Sequence, residues 1–158
     1  MRRVRVNGIA IGLALAAIAL VSLAATSPGG EYFEKDGAAL RGYDPVAYFS
    51  DRRPVKGSPA FTAAHKGSTF RFASSSHRDA FAANPDKFAP QYGGFCAFGM
   101  AKGYKATTDP AAYTIIGGRL YLNYSLSVRE LWQEDIPGNI RKADENWPEV
   151  KHSTKVSG

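Results

Sequence analysis

AFTAAHKGSTFRF, residues 60–72, contains two runs of alternating side chains that are separated by Lys66-Gly67. A two-residue turn with glycine is typical of a β-hairpin, and alternate positions along a strand share one side of the sheet. This register predicts three facing pairs: His65 with Ser68, Ala63 with Phe70, and Phe61 with Phe72. The hairpin would therefore present one apolar face, with His65 at its turn end.

A second segment, YTIIGGRLYLNY at 113–124, repeats the pattern around Gly117-Gly118. Paired glycines suit a primed turn, because such a turn needs a positive φ that glycine adopts without steric cost. The alternation predicts a second hairpin. Its buried face would consist of Tyr113, Ile115, Leu120 and Leu122.

Helices are expected after each hairpin. Ser76-His77-Arg78-Asp79 resembles a capping box that starts a helix through Ala83, and Ser127-Val128-Arg129-Glu130 starts one through Glu134. Further helices are predicted over 94–101 and over 140–147, the last ended by Pro148. The fold class is therefore α+β, with small antiparallel β-hairpins and several short α-helices packed in a single domain.

The N-terminal residues are typical of an export signal. Arg2, Arg3 and Arg5 precede an apolar run from Ile9 to Ala25, which Ser27-Pro28 interrupts. This order predicts a signal peptide over 1–25 and a periplasmic or secreted bacterial protein. The alternative is an uncleaved anchor in the inner membrane with the protein facing the periplasm, although the run is short for a span of about 20 residues.

Charge argues against nucleic-acid binding. The chain has 20 basic and 14 acidic residues, a net charge of +6. Removing the three signal arginines leaves 17 basic and 14 acidic residues, a net charge of +3. That value is ordinary for solubility, and no basic block or basic-aromatic repeat is present. We therefore expect no nucleic-acid partner and no membrane contact beyond a retained N-terminal segment.

Four side chains are candidate metal ligands: His65, His77, Cys96 and Met100. Cysteine and methionine with imidazole favour copper(I), while thiolate with imidazole also suits zinc. Cys96 is the single cysteine, so no internal disulfide can form. An exported free thiol is exposed to oxidation, so Cys96 is expected to be buried, metal-bound or redox-active. The chain contains none of the motifs G-x-S-x-G, H-E-x-x-H or C-x-x-C, nor a phosphate loop.

Four further segments occur in a characteristic order: GYDPVAYF (42–49), FRFASSSHRDAF (70–81), NPDKFAPQYGGFCAFGMAKG (84–103) and LYLNY (120–124). Together they resemble exported bacterial proteins with a YHS domain, a TRASH-like metal-associated family. The resemblance implies a YHS-like domain at 40–148, which leaves an N-terminal extension or linker at 26–39. The last residues are polar, so the tail at 149–158 is expected to be flexible.

The resemblance also bears on the ligands. Metal-associated members carry cysteines in a D-P-V-C motif and in a later F-C-S-x-x-C segment. The corresponding residues here are Ala47, Ala73 and His77, of which only His77 can bind metal. Cys96 belongs to the G-G-F-C-A segment typical of the exported subgroup. The resemblance thus implies either a relocated site combining His77 with Cys96 or a scaffold without metal.

Three functional hypotheses follow. The first is a metal-binding carrier, sensor or accessory module, with copper preferred over zinc, whose partners are the metal ion or a periplasmic protein. The second is a metal-free interaction or small-ligand-binding module with an aromatic groove of Tyr43, Tyr48, Phe95 and Tyr104. The third is an enzyme that uses Cys96 in redox or hydrolytic chemistry, which we rank below the two binding hypotheses.

Overall fold

The computed structural model describes residues 30–158, which form a mixed α+β body of short strands and six helices. The strands are β1 (Glu34–Lys35), β2 (Ala38–Ala39), β3 (Ser58–His65), β4 (Ser68–Phe72), β5 (Lys105–Ala106), β6 (Tyr113–Ile116), β7 (Arg119–Leu122) and β8 (Val156–Ser157). The helices are α1 (Ala47–Ser50), α2 (Ser75–Ala83), α3 (Pro85–Phe88), α4 (Ala97–Ala101), α5 (Leu126–Gln133) and α6 (Ile136–Val150). The predicted fold class is confirmed.

Each sheet contains two strands. The pairs β1–β2, β3–β4 and β6–β7 are antiparallel, whereas β5 and β8 pair in parallel. The predicted signal segment at 1–25 lies outside the described residues. Among residues 30–158, no helix combines the length and the apolar composition that crossing a membrane requires.

The first hairpin keeps most of its predicted register. His65 faces Ser68 and Ala63 faces Phe70, but the expected pairing of Phe61 with Phe72 is wrong. Phe72 instead pairs with Ser58, because the register shifts at a bulge before Thr62. The bulge contains Pro59, which has no backbone N–H to donate to a regular ladder.

The second hairpin has the predicted register, with Tyr113 opposite Leu122 and Ile115 opposite Leu120. Its two faces separate two clusters of buried apolar side chains. Leu120 and Leu122 belong to the first cluster, while Tyr121 points to the second. The first cluster consists of Tyr32, Ala39, Leu40, Val46, Tyr48, Phe70, Phe72, Phe81, Phe88, Ala89, Leu120 and Leu122. The second consists of Phe33, Tyr92, Phe95, Ala97, Met100, Tyr121, Trp132 and Ala143.

Two helices start earlier than their predicted capping boxes. The hydroxyl of Ser74 accepts from the His77 N–H at 3.2 Å, and that of Ser125 accepts from the Val128 N–H at 3.2 Å. Both caps thus lie two residues before the predicted ones. Ser76 and Ser127 instead lie within hydrogen-bond distance of the capping hydroxyls, at 3.0 and 2.9 Å. Each segment offered two serines, and local sequence did not distinguish them.

The last helix is longer than predicted, and Pro148 does not end it. It begins after Asp135, whose carboxylate accepts from the Gly138 N–H at 3.0 Å. Pro148 lies in the final turn, so the helix loses only that residue's own backbone donor. Trp147 and Val150 pack against the second cluster on either side of it, which stabilises the continuation.

Helix α4 is shorter than the predicted 94–101. Tyr92, Gly93 and Gly94 have φ values of +53°, +63° and +79°, which a right-handed helix cannot contain. The helix therefore begins at Ala97, with Cys96 as its N-cap residue.

The chain on both sides of the predicted domain takes part in the fold. In the extension at 26–39, Tyr32 and Phe33 are buried, and Ala38 and Ala39 are fully buried. In the tail expected to be flexible at 149–158, β8 pairs with β5. The ammonium group of Lys105 donates to the carbonyls of Lys151 and Ser153, both at 2.8 Å, and this holds the tail in place.

The Gly117-Gly118 turn supplies a test of the second hairpin. Both residues have positive φ, +57° and +72°, and a Cβ on either would meet no neighbour. Replacing both with alanine should therefore cost about 1 kcal/mol or more per site through backbone strain alone. Gly30→Ala is the matched control, because Gly30 has open space and no positive φ. Equal melting temperatures for the double variant and the control would contradict the turn geometry.

Buried tyrosines predict sensitivity to alkali. Burial raises the pKa of Tyr32, Tyr48, Tyr92 and Tyr121 above the ordinary 10.0. The folded protein keeps these hydroxyl protons, whereas the unfolded chain loses them near pH 10. Their stabilisation is thus complete below pH 10, and the free energy of unfolding should fall as the pH rises further. Burial lowers the pKa of Lys105, which has the opposite effect but involves only one group.

Urea unfolding at a series of pH values, followed by circular dichroism, measures this dependence. The part of the tyrosinate absorbance that comes from these four buried hydroxyls should appear together with loss of structure rather than before it. A free energy of unfolding that stays constant from about pH 9 to about pH 12 would contradict the burial of these hydroxyls.

Candidate functional site

Cys96 lies where the chain turns into α4. Its backbone N–H donates to the carbonyl of Ala106 at 3.0 Å. Its sulfur accepts from the Gly99 N–H at 3.4 Å and donates to Oδ1 of Asn123 at 3.6 Å. Cys96 is only 2% exposed, so its thiol is buried. Burial was one of the three states expected for it, beside metal binding and redox activity.

The two glycines before Cys96 allow this part of the chain to pack closely against Glu31 and Leu40. A Cβ on Gly93 would lie 1.7 Å from the carbonyl oxygen of Glu31, and one on Gly94 would lie 2.3 Å from Cδ2 of Leu40. Both residues also have positive φ. Larger side chains at these positions would therefore push the segment before Cys96 away from Glu31 and Leu40.

A cleft of about 470 Å³ opens beside Cys96. Its walls are mainly apolar or aromatic: Cys96, Phe98, Tyr104, Tyr124 and Val128, with Lys102 at the side. Tyr104 and Tyr124 are 45% and 48% exposed, which is unusual for large apolar side chains in this fold. The Nζ atom of Lys102 lies 4.6 Å from the centre of the Phe98 ring.

The C-terminal strand forms one side of the same cleft. Ser157 and Gly158 line it together with Ala106. The carbonyl of Ser157 accepts from the Thr107 N–H at 2.9 Å, which continues the pairing of β5 with β8. The tail therefore contributes to one wall of the cleft, while most of its residues stay exposed to solvent.

Met100 and Phe95 do not line this cleft. Both belong to the second cluster, where Met100 is completely buried and Phe95 is 3% exposed. Phe95 packs under Lys105, whose Nζ lies 4.7 Å from the ring centre. Cys96 and Met100, although four residues apart in the chain, therefore do not belong to one open site.

His77 lies at a different place, in the first turn of α2. Its Nδ1 is 2.6 Å from Oδ2 of Asp44, and its Nε2 is 3.3 Å from Oγ of Ser50. Asp44 is completely buried and also accepts from the backbone N–H groups of Val46, Ala47 and Ala73 at 2.8–3.2 Å. His77 is therefore held by a carboxylate that is itself fixed by the backbone.

His65 and the remaining groove residues lie elsewhere. Nε2 of His65 is 3.6 Å from Oδ1 of Asp86, and its ring packs near Tyr32 and Phe81. Tyr48 is buried and donates its hydroxyl to the carbonyl of Pro110 at 3.0 Å. Tyr43 packs under Lys56 at 4.6 Å. Of the four predicted groove residues, only Tyr104 lines the cleft.

The four predicted ligands therefore do not converge. His77 and Cys96 share no hydrogen-bond partner, and within residues 30–158 no three His, Cys, Asp or Glu side chains are grouped to hold a metal ion. A copper or zinc site built from His77, Cys96, Met100 and His65 does not fit this arrangement. Copper and zinc normally require three or four converging donors.

The sequence patterns did not predict several residues of the cleft beside Cys96 and of the cluster around His77. The Asp44-Pro45 dipeptide is typical of a turn, but an aspartate before a helix is also a local signal for a cap. The contact of Ser50 with His77 and those of Asn123 with Cys96 and Phe98 carry no local signal, because each joins residues more than 20 positions apart. Tyr124 lies just after β7 and reaches the cleft only because α5 turns the chain beside α4.

In comparisons with known proteins, no family model matches the chain, and no curated protein or solved structure is significantly similar. The similarity to exported YHS-domain proteins therefore stays a prediction that depends on the four quoted segments.

Proposed function

We propose that this protein is an exported YHS-like binding module that holds a small, mainly aromatic or apolar molecule in the cleft beside Cys96. The observation that carries the proposal is the cleft itself. Its volume of about 470 Å³ falls within the range typical of small-molecule sites, about 300–1,000 Å³. Its lining is mostly apolar, with a few polar groups, which is the usual composition of such sites.

The chemistry of the walls limits the ligand. Phe98, Tyr104 and Tyr124 offer ring faces and edges for stacking or edge-to-face contact. Lys102 adds one positive charge at the side of the cleft. A planar ligand with an anionic or hydrogen-bond-accepting substituent would use both features, so we assign this class to the cleft.

Exposed tyrosines are a second support. Leaving two aromatic rings nearly half exposed costs hydrophobic free energy that burial by a ligand would recover. Leu126 is also exposed, at 49%, close to Tyr124 in the chain. Of the five exposed large apolar side chains among residues 30–158, Tyr104 and Tyr124 line the cleft, as expected for a binding region.

A copper site is the competing proposal, and the donors argue against it. The Cys96 sulfur is engaged by Gly99 and Asn123, while Met100 lies in the second cluster. In the part of the chain that the structure describes, no His, Asp or Glu joins Cys96 in a ligand group. Export to the periplasm remains part of our proposal and depends on residues 1–25.

Dye binding tests the proposal. An anionic naphthalene sulfonate probe should bind the folded protein with fluorescence enhancement. Tyr104→Ala and Tyr124→Ala should each weaken binding by about two- to tenfold, since an aromatic contact contributes about 0.5–1.5 kcal/mol. Leu131→Ala is the control, because Leu131 is 49% exposed but does not line the cleft. Equal losses in all three variants would contradict the assignment.

A copper(I) titration against a competing chelator separates the two proposals. We expect the parent protein to take up no stoichiometric copper and Cys96→Ser to behave in the same way. The metal-binding proposal would be favoured if the parent protein takes copper(I) from the chelator and both Cys96→Ser and His77→Ala lose that ability.

A further inference from the structure

His77 connects an exposed hydroxyl to a buried carboxylate. Its Nδ1 lies 2.6 Å from Oδ2 of Asp44, and its Nε2 lies 3.3 Å from Oγ of Ser50. Ser50 ends α1 and is exposed to solvent, whereas His77 is in the first turn of α2. The two residues are 27 positions apart in the chain, so the fold creates this contact.

Asp44 fixes the orientation of the imidazole. Oδ1 accepts from the N–H groups of Val46 and Ala47, and Oδ2 accepts from the Ala73 N–H as well as from His77. Since an ionised carboxylate only accepts, Nδ1 of His77 must donate the hydrogen. The lone pair of Nε2 is then directed toward Ser50, which is the tautomer that a general base requires.

The hydroxyl of Ser50 has three candidate acceptors. Besides Nε2 of His77, Oγ lies 3.2 Å from the carbonyl oxygen of Val46 and 2.8 Å from Oδ1 of Asp51. Of these three, the imidazole is the natural proton acceptor for catalysis near neutral pH. The carbonyl and the Asp51 carboxylate hold the hydroxyl in the resting protein and compete with the base.

The residues after Ser50 form a concave group of donors. Asp51 has right-handed φ and ψ of −97° and −10°, and Arg52 has a left-handed φ of +53°. Successive right- and left-handed residues direct neighbouring N–H groups toward one point, a nest that binds anions. Within residues 30–158, the N–H groups of Arg52 and Arg53 have no backbone acceptor. Both side chains are exposed cations.

We propose that Ser50, His77 and Asp44 form a nucleophilic centre that hydrolyses carboxylic esters. Ser50 supplies the attacking oxygen and His77 the base, while Asp44 acts as the positioning residue. The Arg52 and Arg53 N–H groups stabilise the oxyanion, as preorganised donors do in other acyl transfers. Ser50 lies on an exposed surface, which leaves room for the alcohol part of the ester.

The reaction balances in two steps. Oγ of Ser50 bonds to the ester carbonyl carbon, its proton passes to Nε2 of His77, and the carbon–oxygen bond to the alcohol breaks as that proton is returned to the leaving alcohol. Water then attacks the acyl-Ser50 carbonyl and transfers its proton to Nε2. That proton returns to Oγ as the acyl–serine bond breaks, and the carboxylic acid is released.

This centre is independent of the proposed ligand cleft. None of Ser50, His77 and Asp44 lines the cleft beside Cys96. Dye binding to the cleft and ester hydrolysis at Ser50 can therefore fail separately, and either result leaves the other proposal in place.

Hydrolysis of para-nitrophenyl acetate by the full chain tests the centre. The parent should turn over, and Ser50→Ala should lower the rate by about a hundredfold or more, the range lost with a general acid–base pair. His77→Gln should give a similar loss. Ser76→Ala is the control, because it removes a hydroxyl from the same helix as His77 but outside the centre.

A fluorophosphonate ester supplies a second readout that does not depend on turnover. Intact-mass and peptide analysis should locate one covalent adduct on Ser50, and His77→Gln should lose it while keeping the parent's circular dichroism. The proposal is overturned if Ser50→Ala hydrolyses the ester as fast as the parent, or if the adduct forms on another residue or forms equally in His77→Gln.

Discussion

The buried carboxylate of Asp44 is the interaction on which much of the fold depends. It joins three segments: its own loop before α1, the end of β4 through Ala73, and the start of α2 through His77. A completely buried charge is tolerated only when donors surround it, and four donors do so here. The same contacts that satisfy Asp44 therefore determine where α1 and α2 lie.

The first cluster depends on that placement. Phe81 of α2 packs on Phe70 and Phe72 of β4, with ring centres 4.8 and 5.1 Å apart. Asp44 holds the residue after β4 and the first turn of α2 together, so these rings can meet. The second cluster contains residues of α4 and α6. The cleft beside Cys96 is lined by other residues of α4 and its neighbours. The group of Ser50, His77 and Asp44 therefore lies beside the first cluster, and the cleft beside Cys96 lies beside the second.

Local patterns predicted the two hairpins, their glycine turns and most of the helices, because turn chemistry and side-chain alternation act over a few residues. Interactions between distant segments could not be predicted in this way. The Ser58–Phe72 pairing, the docking of β8 on β5 and the contact of His77 with Asp44 join residues whose relation only the folded chain defines. The caps at Ser74 and Ser125 were missed because each had a second serine two residues later.

The candidate site was predicted only in part. Cys96 and Tyr104 do line a cleft, but Met100 and Phe95 became core residues, since apolar side chains next to a buried turn pack inward. His77 was chosen for its metal-binding potential. Its position instead follows from the Asp44 carboxylate, which the Asp-Pro dipeptide alone did not reveal.

The central claim concerns Asp44, and a comparison of Asp44→Asn with Asp109→Asn tests it most directly. Both residues precede proline and accept from backbone N–H groups, but only Asp44 is completely buried and also contacts a histidine. Urea unfolding should show a loss of about 3 kcal/mol or more for Asp44→Asn, because an amide presents its own donor to groups that also donate. The loss for Asp109→Asn should stay within about 0.5 kcal/mol. Equal free energies of unfolding for the two variants would contradict the account.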